Sequence, residues 1–150
     1  MFNNRLLFIV LTLFVFSCNE VEITPNYEKF SSDIGELNYR ILYPKNFDQS
    51  KTYPLTLFLH GIGERGDDNE LQLKYIDKVF LNSQNYSDFP SVVIFPQAPL
   101  SDNWSSRILT DNEIRQVFQK DATPTNSLQL VIKLMDSLIK EDFIDNKRVY

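Results

Sequence analysis

The sequence predicts an α/β domain in which an antiparallel hairpin is followed by parallel strands with flanking helices. Three observations lead to this fold class. Residues 55–59 form a short apolar run that stops at His60 and a glycine-rich turn, and strands buried on both faces of a parallel sheet have such continuous runs. A second apolar run at 91–95 lies between two stretches with helical periodicity, the later one over 128–139. Strands that alternate with helices are typical of a sheet whose later strands run parallel.

The N-terminus has the pattern of an export signal. Arg5 precedes an apolar run over residues 6–16, which is shorter than the roughly 20 residues that span a bilayer but fits the apolar part of a secretory signal. The run ends in Val-Phe-Ser-Cys, which resembles the lipobox of bacterial lipoproteins. We expect residues 1–17 to be a lipoprotein-type signal peptide, Cys18 to carry the lipid and residues 18–26 to form a tether. The alternative is an ordinary secretory signal with an incidental free cysteine.

A β-hairpin opens the domain itself, which we expect to occupy residues 27–150. Its strands at 27–32 and 37–43 are separated by a turn around Gly35. In the second strand, large apolar or aromatic residues alternate with others, which indicates one buried face. A polar connection then leads to Pro54, which stands at the start of the next strand, where no ladder donor is lost.

The segment after the glycine-rich turn is expected to be helical. Acidic residues and asparagine at 67–70 suit a helix start, and apolar residues within 71–80 recur with helical spacing. Residues 82–90 are predicted to be a loop. The next strand, at 91–96, is expected to end at Pro96.

The clearest helical pattern lies near the end of the sequence. After a start signal at 124–126, its predicted apolar face comprises Leu128, Val131, Ile132, Met135, Leu138 and Ile139. Residues 100–123 are polar and irregular, with a short helix predicted at 111–118. Residues 148–150 have the pattern of a further strand that begins there.

Composition excludes several classes of function. The formal charge of −5 argues against nucleic acid as a partner, because phosphate binding requires a basic surface. With one histidine and one cysteine, the sequence has neither a His-rich metal site nor an intrachain disulfide. Asp67 and Asp68 are interpreted as helix-capping residues in preference to a metal-binding pair. We therefore expect no metal and no cofactor.

Several motifs together resemble the N-terminal half of an α/β-hydrolase. They are Tyr-Arg-Ile-Leu-Tyr-Pro at 39–44, His-Gly-Ile-Gly-Glu-Arg-Gly-Asp-Asp-Asn at 60–69 and Phe-Pro-Gln-Ala-Pro at 95–99. The most similar group is the secreted carboxylesterases related to polyhydroxybutyrate depolymerases, feruloyl esterases and phospholipase/carboxylesterases. The resemblance extends over residues 37–150. It implies that the chain forms the first part of an α/β-hydrolase sheet, truncated at the fifth strand.

The resemblance implies acyl transfer by a Ser-His-Asp triad, with the turn at 60–66 forming half of the oxyanion hole. The motif assigns the donor to the backbone N–H of Ile62, and glycines at Gly61 and Gly63 let the backbone turn that N–H inward. We expect positive φ or close approach at Gly61, Gly63 and Gly66. Because the donor is a main-chain group, Ile62→Ala should be mild, whereas Gly61→Pro or Gly63→Val should be severe. In such a turn, His60 is implied to be structural, with its ring bonding backbone groups.

Three further side chains near the turn have alternative roles. Glu64 and Arg65 either pair with each other, brace the loop or contact substrate, and Glu64 is retained as a candidate substrate-binding residue. Trp104 either lines an acyl or leaving-group pocket or packs on the edge of the sheet.

The nucleophile, acid and base of a triad are absent from the 150 residues. Hydrolases of this fold carry the serine in a G-x-S-x-G turn after the fifth strand, and the sequence contains no such pattern. Residues 148–150 would begin that strand. We expect the chain to be the N-terminal part of a hydrolase and to be inactive alone; a deliberately short domain is the alternative.

These observations predict an exported, membrane-anchored lipoprotein, periplasmic or on the cell surface, that carries part of a serine carboxylic ester hydrolase. The expected partners are an ester substrate, polysaccharide-linked or a polyester, and the membrane through the N-terminal lipid. Two alternatives stay open. One is part of a prolyl-oligopeptidase-like serine peptidase, and the other is a non-catalytic surface lipoprotein that binds through the rim of the sheet.

Overall fold

A five-stranded mixed sheet is the centre of the computed structural model, which describes residues 23–105, 108–110, 113–115 and 123–150. The strands in chain order are β1 (Asn26–Ser32), β2 (Gly35–Leu42), β3 (Tyr53–Leu57), β4 (Val92–Gln97), β5 (Ile108–Thr110), β6 (Glu113–Arg115) and β7 (Ile144–Val149). The sheet has the order β1-β2-β4-β3-β7, and β5 pairs separately with β6. The pairs β1–β2 and β2–β4 are antiparallel, whereas β4–β3 and β3–β7 are parallel. The predicted α/β class, a hairpin followed by parallel strands, is confirmed.

The β1–β2 hairpin forms where the alternating pattern predicts it. Ser32 pairs with Gly35, so the loop consists of Asp33 and Ile34. Gly35 adopts a φ of +136°, which residues with a side chain rarely adopt. Alternate residues of β2 are buried, namely Leu37, Tyr39 and Ile41.

The helix α2 (Asn126–Leu138) covers one face of the sheet. Thr125 fixes its start, because the threonine hydroxyl accepts a hydrogen bond from the N–H of Leu128. The predicted apolar face is rotated relative to the buried one, since Ile132 is 46% exposed and Leu128 is half-buried. The apolar band of this helix is wider than the surface that the sheet covers. The residues of the buried face are Ser127, Leu130, Val131 and Leu134.

The sheet has a buried cluster on each face. The strand residues under α2 are Leu37, Tyr39, Ile41, Tyr53, Leu55, Val92, Ile94 and Ile144. The cluster on the opposite face comprises Leu42, Ile76, Val93 and Phe95. The central strands are therefore buried on both sides, which explains their continuous apolar sequence.

The opposite face is covered by an irregular segment and a short helix, and the predicted helix over 71–80 does not form. A single 3₁₀ turn is present at Leu71–Leu73, and α1 (Ser83–Asp88) lies where the pattern predicts a loop. Asn82 explains the start of α1, because its side chain accepts hydrogen bonds from two backbone N–H groups of the first turn.

Tertiary hydrogen bonds explain the irregular path before α1. The buried side-chain amide of Gln72 donates to the side chain of Asn69 and to the carbonyl of Phe95, and these bonds hold the segment against the sheet. Two residues of the predicted stripe are exposed as a result, Leu71 by 43% and Val79 by 55%.

The strand β4 continues through Pro96 to Gln97, although the sequence predicts that it ends at the proline. The carbonyl of Ile94 faces β3 and accepts a hydrogen bond from the N–H of Phe58. Pro96, two residues later, faces the same side, beyond the last residue of β3. No ladder donor is needed there, so the strand tolerates the proline.

Other element bounds also differ from their predictions. The strand β3 ends at Leu57, before His60, and β7 begins at Ile144 because the chain already pairs with β3 there. The short helix predicted at 111–118 is wrong where the structure describes it, since Glu113–Arg115 forms β6.

The predicted signal peptide at 1–17 and the lipid-bearing Cys18 lie outside the described residues, as does the first part of the tether. Ile23 packs against the cluster on the α1 side of the sheet, and the carbonyl of Pro25 accepts a hydrogen bond from Arg40. Within the described ranges, no helix is long and apolar enough to cross a membrane.

Candidate functional site

The glycine-rich turn lies at the edge of the sheet where ligands bind in many α/β proteins. The strands β3, β4 and β7 run parallel, so their carboxyl ends meet at one edge. Residues 60–66 follow β3 at this edge, and residues 98–105 follow β4. The two segments contact each other and form the candidate site.

His60 joins these two segments through both nitrogens of its ring. Its Nε2 accepts a hydrogen bond from the N–H of Ala98 at 3.0 Å, and its Nδ1 lies 2.6 Å from the carbonyl oxygen of Gly61. Because a backbone N–H can only donate, Nε2 carries no proton, and the proton on Nδ1 is donated to Gly61. The side chain is 5% exposed, and its burial lowers the pKa of His60 below the ordinary value. The neutral ring therefore has no nitrogen left for proton transfer.

Trp104 packs directly on this histidine. Its Nε1 donates a hydrogen bond to the carbonyl of His60 at 3.0 Å, and the two rings meet edge to face with centroids 5.0 Å apart. Trp104 also lines the depression described below and packs against the core cluster under α2.

A short 3₁₀ turn, Ile62–Glu64, presents the proposed oxyanion donor. It is closed by a hydrogen bond from the N–H of Glu64 to the carbonyl of Gly61, whose backbone is extended with φ −76° and ψ 174°. In the part of the chain that the structure describes, no acceptor bonds the N–H of Ile62 or of Gly63. These donors are therefore available to a ligand.

The expectation of positive φ at the glycines of the turn is wrong. Gly35, in the hairpin, is the glycine with positive φ among the described residues. A Cβ on Gly63 would meet no atom within 4 Å, so the structure gives no steric reason for Gly63→Val to disrupt the turn. Close approach does occur at Gly66, where a Cβ would lie 3.0 Å from the side-chain nitrogen of Gln97. At Gly61 the nearest atom is the flexible carboxylate end of Glu64.

Gln97 is a positioning residue that the sequence analysis does not single out. Its side chain is 2% exposed and accepts a hydrogen bond from the N–H of Asn69 at 2.6 Å. Its amide donates to the carboxylate of Asp68 at 2.7 Å and to the carbonyl of Glu64 at 3.3 Å. Gln97 thus ties the turn to the end of β4. In the sequence, the feature that could have indicated this role is the position of Gln97 between two prolines in the Pro-Gln-Ala-Pro motif.

Asn69 and Asp68 anchor the far end of the turn. Asn69 is fully buried with a φ of +55°, and its side-chain amide donates to the carbonyl of Tyr39 in β2. The carboxylate of Asp68 accepts hydrogen bonds from the N–H groups of Glu70 and Leu71, but the helix that it is expected to cap does not form, and the 3₁₀ turn Leu71–Leu73 starts without a side-chain cap. The N–H of Glu70, and then the amide of Gln97 and the N–H of Leu71, lower the pKa of Asp68. Within the described residues there is no cluster of three His, Cys, Asp or Glu side chains that could hold a metal ion.

Arg65 braces the turn and does not pair with Glu64. Its Nε donates to the carbonyl of Ile62 at 3.0 Å, and its Nη1 donates to the carbonyls of Leu100 and Asp102 at 3.0 and 3.2 Å. The carboxylate of Asp102 in turn accepts hydrogen bonds from the N–H and hydroxyl at the start of α2. A continuous set of bonds therefore joins the turn, the segment after β4 and the helix.

A depression of about 170 Å³ lies between the two segments. The candidate substrate-binding residue Glu64 is not part of its wall, whereas Trp104 is. Another cavity, of about 320 Å³, lies between α1 and the sheet and contains none of the predicted site residues. The residues that line the smaller depression are His60, Gly61, Ile62, Arg65, Asn103, Trp104 and Ser105.

A solved structure of a thermostable esterase is similar to this chain. The two are 31% identical with a TM-score of 0.67, and the match covers 84% of this chain and 33% of the esterase. The chain therefore spans a third of the length of that protein. The resemblance to esterases of the α/β-hydrolase fold is confirmed, and the sheet corresponds to half of an α/β-hydrolase sheet.

A CE1 ferulic acid esterase from Anaeromyces mucronatus, in complex with ferulic acid, also matches. It is 16% identical over 83% of this chain and 47% of the other, with a TM-score of 0.39, and no conclusion rests on it. Neither a protein-family model nor a curated protein sequence matches the chain.

Proposed function

We propose that this chain supplies the oxyanion-hole turn of a serine carboxylic ester hydrolase. The observation that carries the proposal is the N–H of Ile62, which no acceptor bonds in the described part of the chain; Ile62 lines the depression in a turn held by His60. Such a prearranged backbone donor stabilises the oxyanion of an acyl-transfer intermediate without reorganisation, and loss of one donor costs about 3 kcal/mol in known cases. An ester is proposed in preference to a peptide because the similar solved structure is an esterase.

The remaining catalytic groups are proposed to lie beyond Tyr150. Both ring nitrogens of His60 are bonded to backbone groups, so this histidine is not the base. The end of β7 runs beside β3. The N–H of Tyr150 donates a hydrogen bond to the carbonyl of Leu55, and the N–H of Leu57 donates one to the carbonyl of Tyr150. A serine a few residues later would therefore lie next to the turn.

The genomic sequence after the codon for Tyr150 tests this placement. A Gly-x-Ser-x-Gly pattern within about ten further residues is the expected result. A stop codon followed by unrelated sequence would contradict the hydrolase proposal and favour a surface protein that only binds ligands. The 150-residue chain alone should give no hydrolysis of p-nitrophenyl acetate above background, and clear turnover would refute its dependence on a later serine.

A matched pair of substitutions tests the oxyanion donor in the longer protein. Ile62→Pro removes the N–H, and the extended backbone of Gly61 is compatible with a following proline. We expect kcat to fall on the order of 100-fold or more while KM changes little, because the donor acts in the transition state. Ile62→Ala keeps the N–H and should retain activity within a few-fold. Equal activities of the two variants would rule out the donor role.

Export and membrane anchoring through Cys18 are proposed from the N-terminal sequence pattern. Cells that express the chain should incorporate labelled palmitate into it, and Cys18→Ser should abolish the label. Labelling that persists in Cys18→Ser would contradict the lipoprotein assignment and favour the ordinary secretory signal.

A further inference from the structure

Arg65 is a fixed cation that has no counter-ion among the residues that the structure describes. Its three hydrogen bonds all go to backbone carbonyls and use Nε and Nη1. Among the described residues, no carboxylate lies within ion-pair distance of it and no acceptor bonds its Nη2, whereas Arg40 and Arg148 each pair with a carboxylate. Arg65 is half-buried, so its charge is only partly open to solvent.

The carboxylates of Glu64 and Asp102 do not fill this role. Glu64 adjoins Arg65 in sequence, but its carboxylate lies towards the backbone of Gly61. The carboxylate of Asp102 accepts both the N–H and the hydroxyl of Ser127 at 2.8 Å. Within the described part of the chain, the positive charge of Arg65 therefore has no carboxylate partner.

The depression beside Arg65 has the features of a subsite. Its volume of about 170 Å³ is below the roughly 300–1,000 Å³ of complete ligand pockets, so it would hold one part of a larger molecule. The indole of Trp104 provides a flat wall, and Asn103 and Ser105 add polar groups. With Nε–H and both N–H groups of Nη1 donated to carbonyls, Nη2 is left to donate to an oxygen of a carboxylate or phosphate. Because carbonyls already hold this guanidinium in place, little side-chain freedom is lost when an anion binds.

We propose that this depression binds an anionic oxygen group, a carboxylate or a phosphate, that belongs to the substrate. The proposal rests on the proposed ester hydrolase function and narrows its substrate class to esters that carry a second, anionic group. Arg65 recognises the charge, and Trp104 packs against the carbon skeleton beside it.

Trp104 provides the measurement, because it is the single tryptophan of the chain and lies in the wall of the depression. The 150-residue chain is titrated with benzoate, phenyl phosphate and neutral benzamide while Trp104 fluorescence is recorded. At least one of the two anions should give a saturable change that weakens with added salt, and benzamide should bind about tenfold more weakly or worse. The stronger anion identifies the group as carboxylate or phosphate. Equal binding of benzamide, or no binding of either anion, would overturn the proposal.

Substitutions assign the effect to Arg65. Arg65→Gln should abolish anion binding, whereas the control Arg148→Gln, which removes an exposed arginine paired with Asp145, should leave it unchanged. Anion binding that persists in Arg65→Gln would refute the assignment. If Arg65→Gln does not fold, the comparison of charged and neutral probes on the unaltered chain decides the question.

This experiment separates the two proposals, because binding requires no nucleophile. If neither anion binds but a serine motif is encoded after Tyr150, the anionic substrate class is refuted and the hydrolase proposal stands. If an anion binds but a stop codon follows Tyr150, the hydrolase proposal is contradicted and the depression is a site that only binds ligands.

Discussion

Gln97→Leu is the most direct test of how the turn is held. Leucine has a similar volume but can neither accept nor donate a hydrogen bond. The substitution removes the acceptor of the Asn69 N–H and the donor to Asp68 and Glu64. Because Asn69 is fully buried, water cannot replace the lost acceptor without opening the turn.

The expected loss of stability follows from the three bonds. A buried donor left without an acceptor costs about 1–3 kcal/mol, and an ordinary hydrogen bond contributes about 1 kcal/mol. Asp68 is exposed and regains water, so its bond adds little. We therefore expect Gln97→Leu to lower the free energy of unfolding by about 2–4 kcal/mol, a large share of the 5–15 kcal/mol typical of a domain.

Denaturant unfolding followed by Trp104 fluorescence measures this loss. The matched control is Gln84→Leu, which removes an exposed glutamine from α1 and should change stability by less than about 0.5 kcal/mol. Gln97→Leu with the stability of the control would refute the reasoning. Gln97→Glu adds a pH test, since it keeps an acceptor but faces Asp68 with a second carboxylate. The second carboxylate raises the pKa of the introduced carboxyl group in the folded state. The stability that Gln97→Glu loses relative to the unaltered chain should therefore become smaller as the pH falls.

Three further outcomes are expected. Burial lowers the pKa of His60 in the folded state, so the unfolded chain binds more protons and stability should fall as the pH drops below about 6.5. The denaturant midpoint measures this fall, and His60→Asn should not show it. Gly63→Ala should change the free energy of unfolding by less than about 0.5 kcal/mol, whereas Gly35→Ala should lower it by about 1–2 kcal/mol because Gly35 has a φ of +136°. Equal melting temperatures of the two variants would contradict this difference. Asp102→Ala should cost about 1 kcal/mol through loss of the bonds to Ser127, and an unchanged unfolding midpoint would exclude that role.

Local sequence pattern predicts the hairpin and the strands β3 and β4, because their signals are local, but it does not predict β5 and β6. Alternation marks β2, and continuous apolar runs mark β3 and β4. The helix predicted over 71–80 fails because the same segment is bonded to the sheet through Gln72. The buried face of α2 is rotated because an apolar band wider than its contact surface does not determine which residues face inward.

The site is predictable only in part for a similar reason. The crowded glycines and His60 mark the turn, and the motif assigns the donor to Ile62. The roles of Gln97 and Asp102 depend on partners 28 and 25 residues away in sequence, which no local periodicity reports. The uncompensated charge of Arg65 likewise becomes visible only when its carbonyl partners are known.

The bonds that hold the turn join distant parts of the chain, and this affects how the site forms. The ring of His60 reaches Ala98, 38 residues on, and the side chain of Asn69 reaches Glu28, 41 residues back. Such contacts form only after the loops between them have closed, so the site becomes ordered late in folding, together with the sheet. The N–H of Asn69 should therefore exchange with solvent as slowly as the amides of β4. We therefore expect the buried anchors of this rim to open only together with the core.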